Sequence, residues 1–210
     1  MSKIKQGILG AGSGKVGGVI MSSWKGIATI RSMPSTVENP NTAAQQTQRG
    51  KFSQAVACAR LLLAELIRPF WDPFVKGMSG YNAFIQKNID CFNETGFIAP
   101  SAFVAARGVL VGLSDFSATF NPVTHVLNVC WFNNTGVGDA LATDLITVVW
   151  YNESKKYWKV SVGSAARSAE TYDITDTNLS VGDDVHVYGF FRRPDMSKIS
   201  DSTYSLSDEG

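Results

Sequence analysis

The chain has 210 residues, of which 44% are hydrophobic and 18% are charged, a composition that is typical of globular proteins and excludes disorder over the whole length. No run of 18 apolar residues occurs, so no membrane-spanning helix is predicted. The glycine-rich start, GILGAGSG, is too short for a signal peptide. The three widely spaced cysteines, Cys58, Cys91 and Cys130, favour buried free thiols over a disulfide framework. We therefore expect synthesis in a cytoplasm.

Charge is distributed unevenly along the chain. Residues 1–103 contain 11 Lys and Arg against 5 Asp and Glu, whereas residues 104–210 contain 8 against 13. The first acidic residue is Glu38, so the segment before it is purely cationic. This segment either meets a polyanion such as nucleic acid or meets the acidic half of a neighbouring copy, unless the two halves simply differ in composition.

Residues 1–38 are predicted to form a basic extended arm with a β-hairpin. Val16 to Ser32 reads as two strands around a turn at Lys25 and Gly26, and Pro34 ends the pairing because proline donates no backbone hydrogen bond. Two strands alone are marginal in water, so the hairpin needs another surface. The letters GSGKVG at 12–17 fit a dinucleotide fingerprint, but no helix follows them, and no cofactor is predicted.

Residues 39–98 are predicted to form a helical hairpin. Asn39 to Thr42, followed by Gln45, carries the signals of a capped helix start, and Ser79 caps a second helix. Apolar residues recur at steps of three and four along the first helix, which places them on one face. This seam packs either on the protein's own core or against another subunit; its members are Phe52, Val56, Ala59, Leu63, Leu66 and Phe70.

Residues 99–210 are predicted to form an Ig/fibronectin-III-like antiparallel β-sandwich, which makes the chain an α+β protein. Seven short alternating runs, from VAARGVLVG at 104–112 to STYSL at 202–206, are separated by turn residues. Trp131 is the candidate for the central tryptophan of the core.

The sequence carries no arrangement that predicts chemistry. His125 and His186 are the only histidines, and with three scattered cysteines they give no metal-ligand spacing. Asp139 and Asp144 flank a loop that could hold calcium, although their spacing follows no known calcium loop. We expect a protein that is not an enzyme, with no catalytic, cofactor-binding or metal-binding residues.

Several short motifs occur in an order that resembles an uncharacterised family of unknown function from Bacteroidota and their phages. They are GKVG at 14–17, WKG at 24–26, NPNTAAQ at 39–45 and GMS at 77–79. The resemblance covers most of the chain and carries over no catalytic residue. It implies a virion or assembly role.

Together these features predict a structural protein of a phage particle, such as a tail, connector or decoration component. It would be made in the host cytoplasm and bind copies of itself and other virion proteins through its arm and helix seam, with nucleic acid as an alternative partner and no small-molecule substrate. The predicted assembly interface comprises Lys15, Trp24, Lys25, Arg31, Phe52, Val56, Leu63 and Leu66.

The alternative is a binding module of the bacterial surface, or a secreted one, that recognises glycan or protein. Tyr151, Tyr157 and Trp158 surround one predicted hairpin and would form an exposed stacking platform. Arg192 and Arg193, at the tip of the last hairpin, are a further candidate contact.

Overall fold

The computed structural model describes residues 2–4, 13–36, 41–163 and 165–209. They belong to two compact units, residues 1–45 and 46–210. The boundary predicted between residues 98 and 99 has no counterpart, because the helices and the β-sandwich form one unit with a shared core. Asn39 and Pro40, the predicted start of the first helix, lie outside the described residues.

The first unit is a four-stranded antiparallel sheet. Its strands are β1 (Ser2–Ile4), β2 (Gly14–Val16), β3 (Val19–Trp24) and β4 (Ile27–Ser32), in the order β1-β4-β3-β2. The predicted hairpin is confirmed as β3 and β4, and the two outer strands were not predicted. Lys25 and Gly26 both have positive φ, 47° and 77°, as in the two-residue turn whose twist matches that of paired strands.

The helical layer consists of α1 (Ala43–Leu61), a π-helical turn (Leu63–Ile67), α2 (Arg68–Phe70) and α3 (Gly80–Asn88). The predicted capping box is present: the Thr42 N–H donates to Gln45 Oε1, and the Gln45 N–H donates to Thr42 Oγ1, both at 3.3 Å. Ser79 caps α3 by accepting from the Asn82 N–H at 3.2 Å.

The buried face of the first helix differs from the predicted seam. Small side chains, Ala55, Cys58 and Ala59, make the close contact with the core, and Leu62 and Leu66 continue it. Of the predicted seam, Ala59, Leu66 and Phe70 are buried, Val56 and Leu63 are half-buried, and Phe52 is 49% exposed. The steps of three and four predicted the helix but placed its inward direction about one residue away from the observed one.

The β-sandwich has seven strands. They are β5 (Ser114–Asn121), β6 (Val126–Phe132), β7 (Leu145–Asn152), β8 (Tyr157–Ser161), β9 (Thr171–Thr175), β10 (Val185–Arg192) and β11 (Thr203–Glu209). One sheet has the order β8-β7-β10-β11 and the other β5-β6-β9. Strand β11 joins them, since it pairs antiparallel with β10 and, through residues 207–209, parallel with β5. The predicted α+β class and sandwich are confirmed, but the run 104–112 is not a strand, and β5 was missed.

The sheet β8-β7-β10-β11 is the middle of three layers. Along β7, Val148 and Trp150 face the core shared with β5, β6 and β9, whereas Val149 faces the core shared with the helices. Along β10, Val187 faces the core shared with β5, β6 and β9, and Tyr188 faces the core shared with the helices. Every residue of β10 except the last is therefore buried. Trp131 lies in the core between the two sheets, as predicted.

Candidate interaction surfaces

Among the side chains that the structure describes, the sheet of the first unit has an apolar face without charges and a basic face, which carries two cations beside Ile20, Trp24 and Ile27. Residues opposite each other on neighbouring strands project to the same side, and so do residues two apart on one strand. The strand register therefore places five apolar residues together on one face; they are Val16, Val19, Met21, Ala28 and Ile30. None of the side chains described between residues 13 and 36 is fully buried, and Val16 is 63% exposed.

The other face of this sheet carries most of the predicted arm residues. Lys15 and Arg31 both lie opposite Ile20, so two cations flank one apolar residue. Trp24 pairs with Ile27 beside the turn, lies on the same face and is 59% exposed. The structure thus brings Lys15, Trp24 and Arg31 together, with Lys25 in the adjoining turn. The period-two alternation of the sequence indicated that the strands have an apolar face. The sequence does not give the strand register, so the residues of different strands could not be assigned to the same face.

The helical part of the predicted assembly interface is only partly available. Leu66 is 0% exposed in the core of the second unit, so its inclusion in an interface was wrong. Val56 and Leu63 are half-buried against the same core. Phe52 remains accessible and, with Val56 and neighbouring polar residues of α1, lines a shallow surface hollow of about 500 Å³.

The predicted exposed aromatic platform was wrong. Tyr157 and Trp158 are consecutive in β8 and project to opposite faces of the sheet, so they cannot act on one ligand surface. Tyr157 donates a hydrogen bond to Asp176 Oδ2 at 3.0 Å on the sandwich side. Tyr151 is 5% exposed and packs on Trp158, with 4.7 Å between ring centroids, under the helical layer.

Two of these aromatic residues, Tyr151 and Trp158, line a pocket. Its volume is about 390 Å³, and its lining includes Phe97, Tyr151 and Trp158 together with Gln54 and Lys156. Phe97 contacts both Tyr151 and Trp158 edge-on, at 5.1 and 5.3 Å between centroids. The aromatic rings therefore form the wall of a concavity rather than a flat platform.

The Arg193 side chain is bound by Asp144 and is not exposed at the tip of the last hairpin. Its Nη1 bonds Asp144 Oδ1 at 2.8 Å, and its side chain is only 14% exposed. Arg192 is half-buried, and its Nη2 reaches the Gly163 carbonyl at 3.4 Å. The prediction that Arg192 and Arg193 form an exposed contact was wrong, because Arg193 is bound to a buried carboxylate and Arg192 to a backbone carbonyl.

Asp144 anchors a buried ion pair that the sequence did not predict. Arg167, 0% exposed, bonds Asp144 Oδ2 through Nη2 at 3.0 Å, and its guanidinium lies 3.9 Å from the centre of the Phe191 ring. It also donates to the Val111 carbonyl at 2.8 Å and to Asn134. Asp144 therefore faces two guanidinium groups rather than an open calcium site. Burial lowers the pKa of Arg167, although the Asp144 carboxylate acts in the opposite direction.

Two smaller polar clusters lie on the sandwich. His186 Nε2 lies 2.9 Å from Glu153 Oε2, and its Nδ1 lies 3.0 Å from the Tyr204 hydroxyl. Asp176 accepts from Lys159 at 2.5 Å and from the Trp150 indole at 2.9 Å. Burial raises the pKa of Asp176, but these hydrogen bonds outweigh burial and lower it overall.

Neither a metal-binding cluster nor a membrane-spanning helix occurs in the part of the chain that the structure describes. There, no group of three or more His, Cys, Asp or Glu side chains could hold a metal ion. Among the same residues, no helix is long and apolar enough to cross a membrane.

Comparisons with known proteins give a family. A family model described as "Family of unknown function (DUF6266)" matches residues 9–206. No curated protein matches the chain. A Fn3-like protein from Clostridium thermocellum is 12% identical, over 48% of this chain and 93% of its own, with a TM-score of 0.34. The FN1–FN3 domains of chicken CNTN1 are 13% identical, over 49% of this chain and 34% of their own, with a TM-score of 0.37.

Proposed function

Because the chain belongs to the family of unknown function DUF6266, we propose a function from its own geometry: it is a non-enzymatic assembly protein. In this proposal the sheet of residues 2–36 binds a neighbouring copy of the chain through its apolar face. The sandwich and helices form the body of each copy.

The observation that carries this proposal is the amphipathic sheet of the first unit. Its apolar face has no charged side chain among the described residues, whereas both cations of β2 and β4, Lys15 and Arg31, lie on the opposite face. A small sheet gains independent stability when its apolar face is covered. Covering this face with a second copy supplies that burial without placing the cations in the contact.

Charge supports a second copy of this chain as the occupant. Residues 1–45 contain five Lys and Arg but only one acid, Glu38, whereas residues 46–210 contain 14 Lys and Arg against 17 Asp and Glu. These opposite net charges draw the first unit of one copy towards the body of another at long range, while the apolar face forms the contact itself, and they favour a heterologous arrangement of copies.

We place this assembly in a phage particle, as a tail, connector or decoration component made in the host cytoplasm. The family resemblance and the arm motivate this setting. Electron microscopy of the assembled protein tests it: rings, tubes or binding to capsids would support it, and discrete dimers free of any particle would contradict it.

Light scattering after size-exclusion chromatography tests assembly. Met21 and Ile30 face each other on the apolar side, so the double variant Met21→Lys with Ile30→Glu places an opposite-charge pair there without loss of cross-strand attraction. We expect full-length protein to assemble, and both this variant and deletion of residues 1–33 to be monomeric.

A matched control comes from the next pair along. Ser22 and Thr29 face each other on the basic side, and Ser22→Lys with Thr29→Glu introduces the same charges there. This control should assemble like the unmodified chain. A monomeric unmodified protein, or equal assembly of both double variants, would refute the apolar face as the interface. Assembly that weakens steeply with salt in every variant, together with nucleic acid in the peak, would favour the nucleic-acid alternative.

A second candidate function, glycan recognition by the body, is favoured by the 390 Å³ pocket with Tyr151 and Trp158 in its wall. Aromatic faces stack on sugar rings, and the side chains of Gln54 and Lys156 supply polar contacts. The full chain would then bind specific glycans on an array, and Gln54→Ala with Lys156→Ala would remove this binding. Absence of array binding at high protein concentration would dismiss the candidate.

A further inference from the structure

A groove of about 680 Å³ lies between the helical layer and the sandwich of the second unit. One wall comes from residues 70–78 and from α3, and the other from residues 107–109 and 197–199. The volume is within the range of about 300–1,000 Å³ that small-molecule sites occupy. No part of this groove belongs to the sheet through which assembly is proposed.

The floor of the groove is apolar and rigid. Phe70 and Trp71, which are 1% and 4% exposed, lie beneath this floor and hold it in place, and the Trp71 indole N–H donates to the Ala105 carbonyl at 2.9 Å. The half-buried side chains of Phe74 and Val75 form its accessible apolar surface. Such a surface removes an apolar ligand from water without reorganising first.

Three cations line the groove, and none of the described residues that line it is an acid. They are Lys87 from α3, Arg107 and Lys198. Lys198 bonds Asp139 Oδ2 at 2.9 Å, so its charge is already balanced. The side chains of Lys87 and Arg107 make no hydrogen bond or ion pair with any described residue, and both residues are exposed. The groove therefore combines an apolar floor with two cations that lack a counter-charge.

We propose that this groove binds an amphipathic carboxylate, a small molecule with an apolar body and one acid group. The body lies on Phe74 and Val75, and the carboxylate meets Lys87 and Arg107. An arginine guanidinium can engage a carboxylate through two parallel hydrogen bonds, and a charge-assisted bond of this kind is about twice as strong as a neutral one. A neutral ligand of the same shape would leave these cations unmatched, so the site distinguishes an acid from its alcohol.

The test uses full-length protein with decanoate as the probe. Binding is measured by calorimetry and located by ¹H–¹³C NMR of methyl groups, where Ala83, Val75 and Val109 are reporters in the groove. We expect saturable binding at one site per chain, with these methyl signals shifting together. Decanol should bind at least about tenfold more weakly than decanoate, because it lacks the charge.

Variants separate the two parts of the proposal. Lys87→Gln with Arg107→Gln should weaken decanoate at least about tenfold and leave decanol unchanged. Lys198→Gln should have a smaller effect, because Asp139 already neutralises Lys198. Arg60→Gln, an exposed cation on α1 outside the groove, is the matched control and should have none.

Ala83→Phe fills the groove and should abolish binding of both probes. Thermal unfolding checks that each variant is folded. No saturable decanoate binding, equal affinity for decanoate and decanol, or undiminished affinity after Lys87→Gln with Arg107→Gln would each overturn the proposal. Assembly measured by light scattering is a separate readout, so either conclusion can fail without the other.

Discussion

Replacing Asp144 by Asn should destabilise the second unit strongly, because it removes the carboxylate from a buried ion pair while keeping the shape of the side chain. Arg167 is 0% exposed, and Asp144 is its only carboxylate partner among the described residues. A buried charge deprived of its partner costs about 3–5 kcal/mol. The matched control is Asp90→Asn, since Asp90 pairs with Lys51 at 2.6 Å but is 89% exposed. That exposed pair is worth about 0–1 kcal/mol.

Urea unfolding followed by tryptophan fluorescence measures both variants. Trp131 donates its indole N–H to the Arg167 carbonyl at 2.8 Å and therefore reports on this region. With a urea slope of about 2 kcal/mol per molar, the Asp144→Asn midpoint should fall by about 2 M. The Asp90→Asn midpoint should move by less than about 0.5 M. Equal midpoints with an unchanged slope would refute the view that Asp144 compensates a buried cation.

Three further outcomes are expected. The pKa of Asp176 is lowered on folding from about 3.8, so its ionised form stabilises the fold above that value, and this contribution is lost as the pH falls through the folded pKa. Asp176→Asn should therefore flatten the loss of stability as the pH falls below about 4, measured by urea midpoints; an unchanged acid limb would contradict this sign. Leu66→Ala should cost about 2–5 kcal/mol and Phe52→Ala less than about 1 kcal/mol in the same assay, because only Leu66 is fully buried; a reversed order would contradict the observed helix face. Burial raises the pKa of Cys58, so a thiol reagent should label half-buried Cys130 first and Cys58 only on unfolding; early labelling of Cys58 would contradict its burial.

Local signals predicted the elements well. The capping letters around Thr42 and Ser79, the positive-φ turn at Gly26 and six of the seven strand runs all correspond to observed features. These signals depend on neighbouring residues only, and tertiary packing did not override them. Strand β5 was missed because its polar Ser, Asp, Thr and Asn residues hide the alternation of Phe116, Ala118 and Phe120.

Contacts between layers could not be predicted from such signals. The aromatic residues at 151 and 158 looked like surface residues of a hairpin, yet the helices cover them. A clue existed in LITVVWYN and VHVYGFFR, which are nearly continuous apolar runs rather than alternating ones and therefore indicate strands buried on both faces. The groove and the ion pair of Arg167 with Asp144 join residues more than 20 positions apart, and one sequence contains no signal for such pairs.

The strand that joins the two sheets has a kinetic consequence. Residues 207–209 of β11 pair with residues 118–120 of β5, so nearly the whole sandwich lies between the two partners in sequence. Closing so long a loop costs entropy before the pairing returns any stabilisation, which makes the folding of such topologies slow. Until β11 docks, β5 and β10 both have an open edge, and the apolar runs of β7 and β10 are exposed on the ribosome or in a refolding mixture. Such exposed runs associate readily between chains. Yield from refolding should therefore fall steeply with protein concentration, and the helical layer, by covering one side of β7 and β10 early, would act as a built-in protection against that loss.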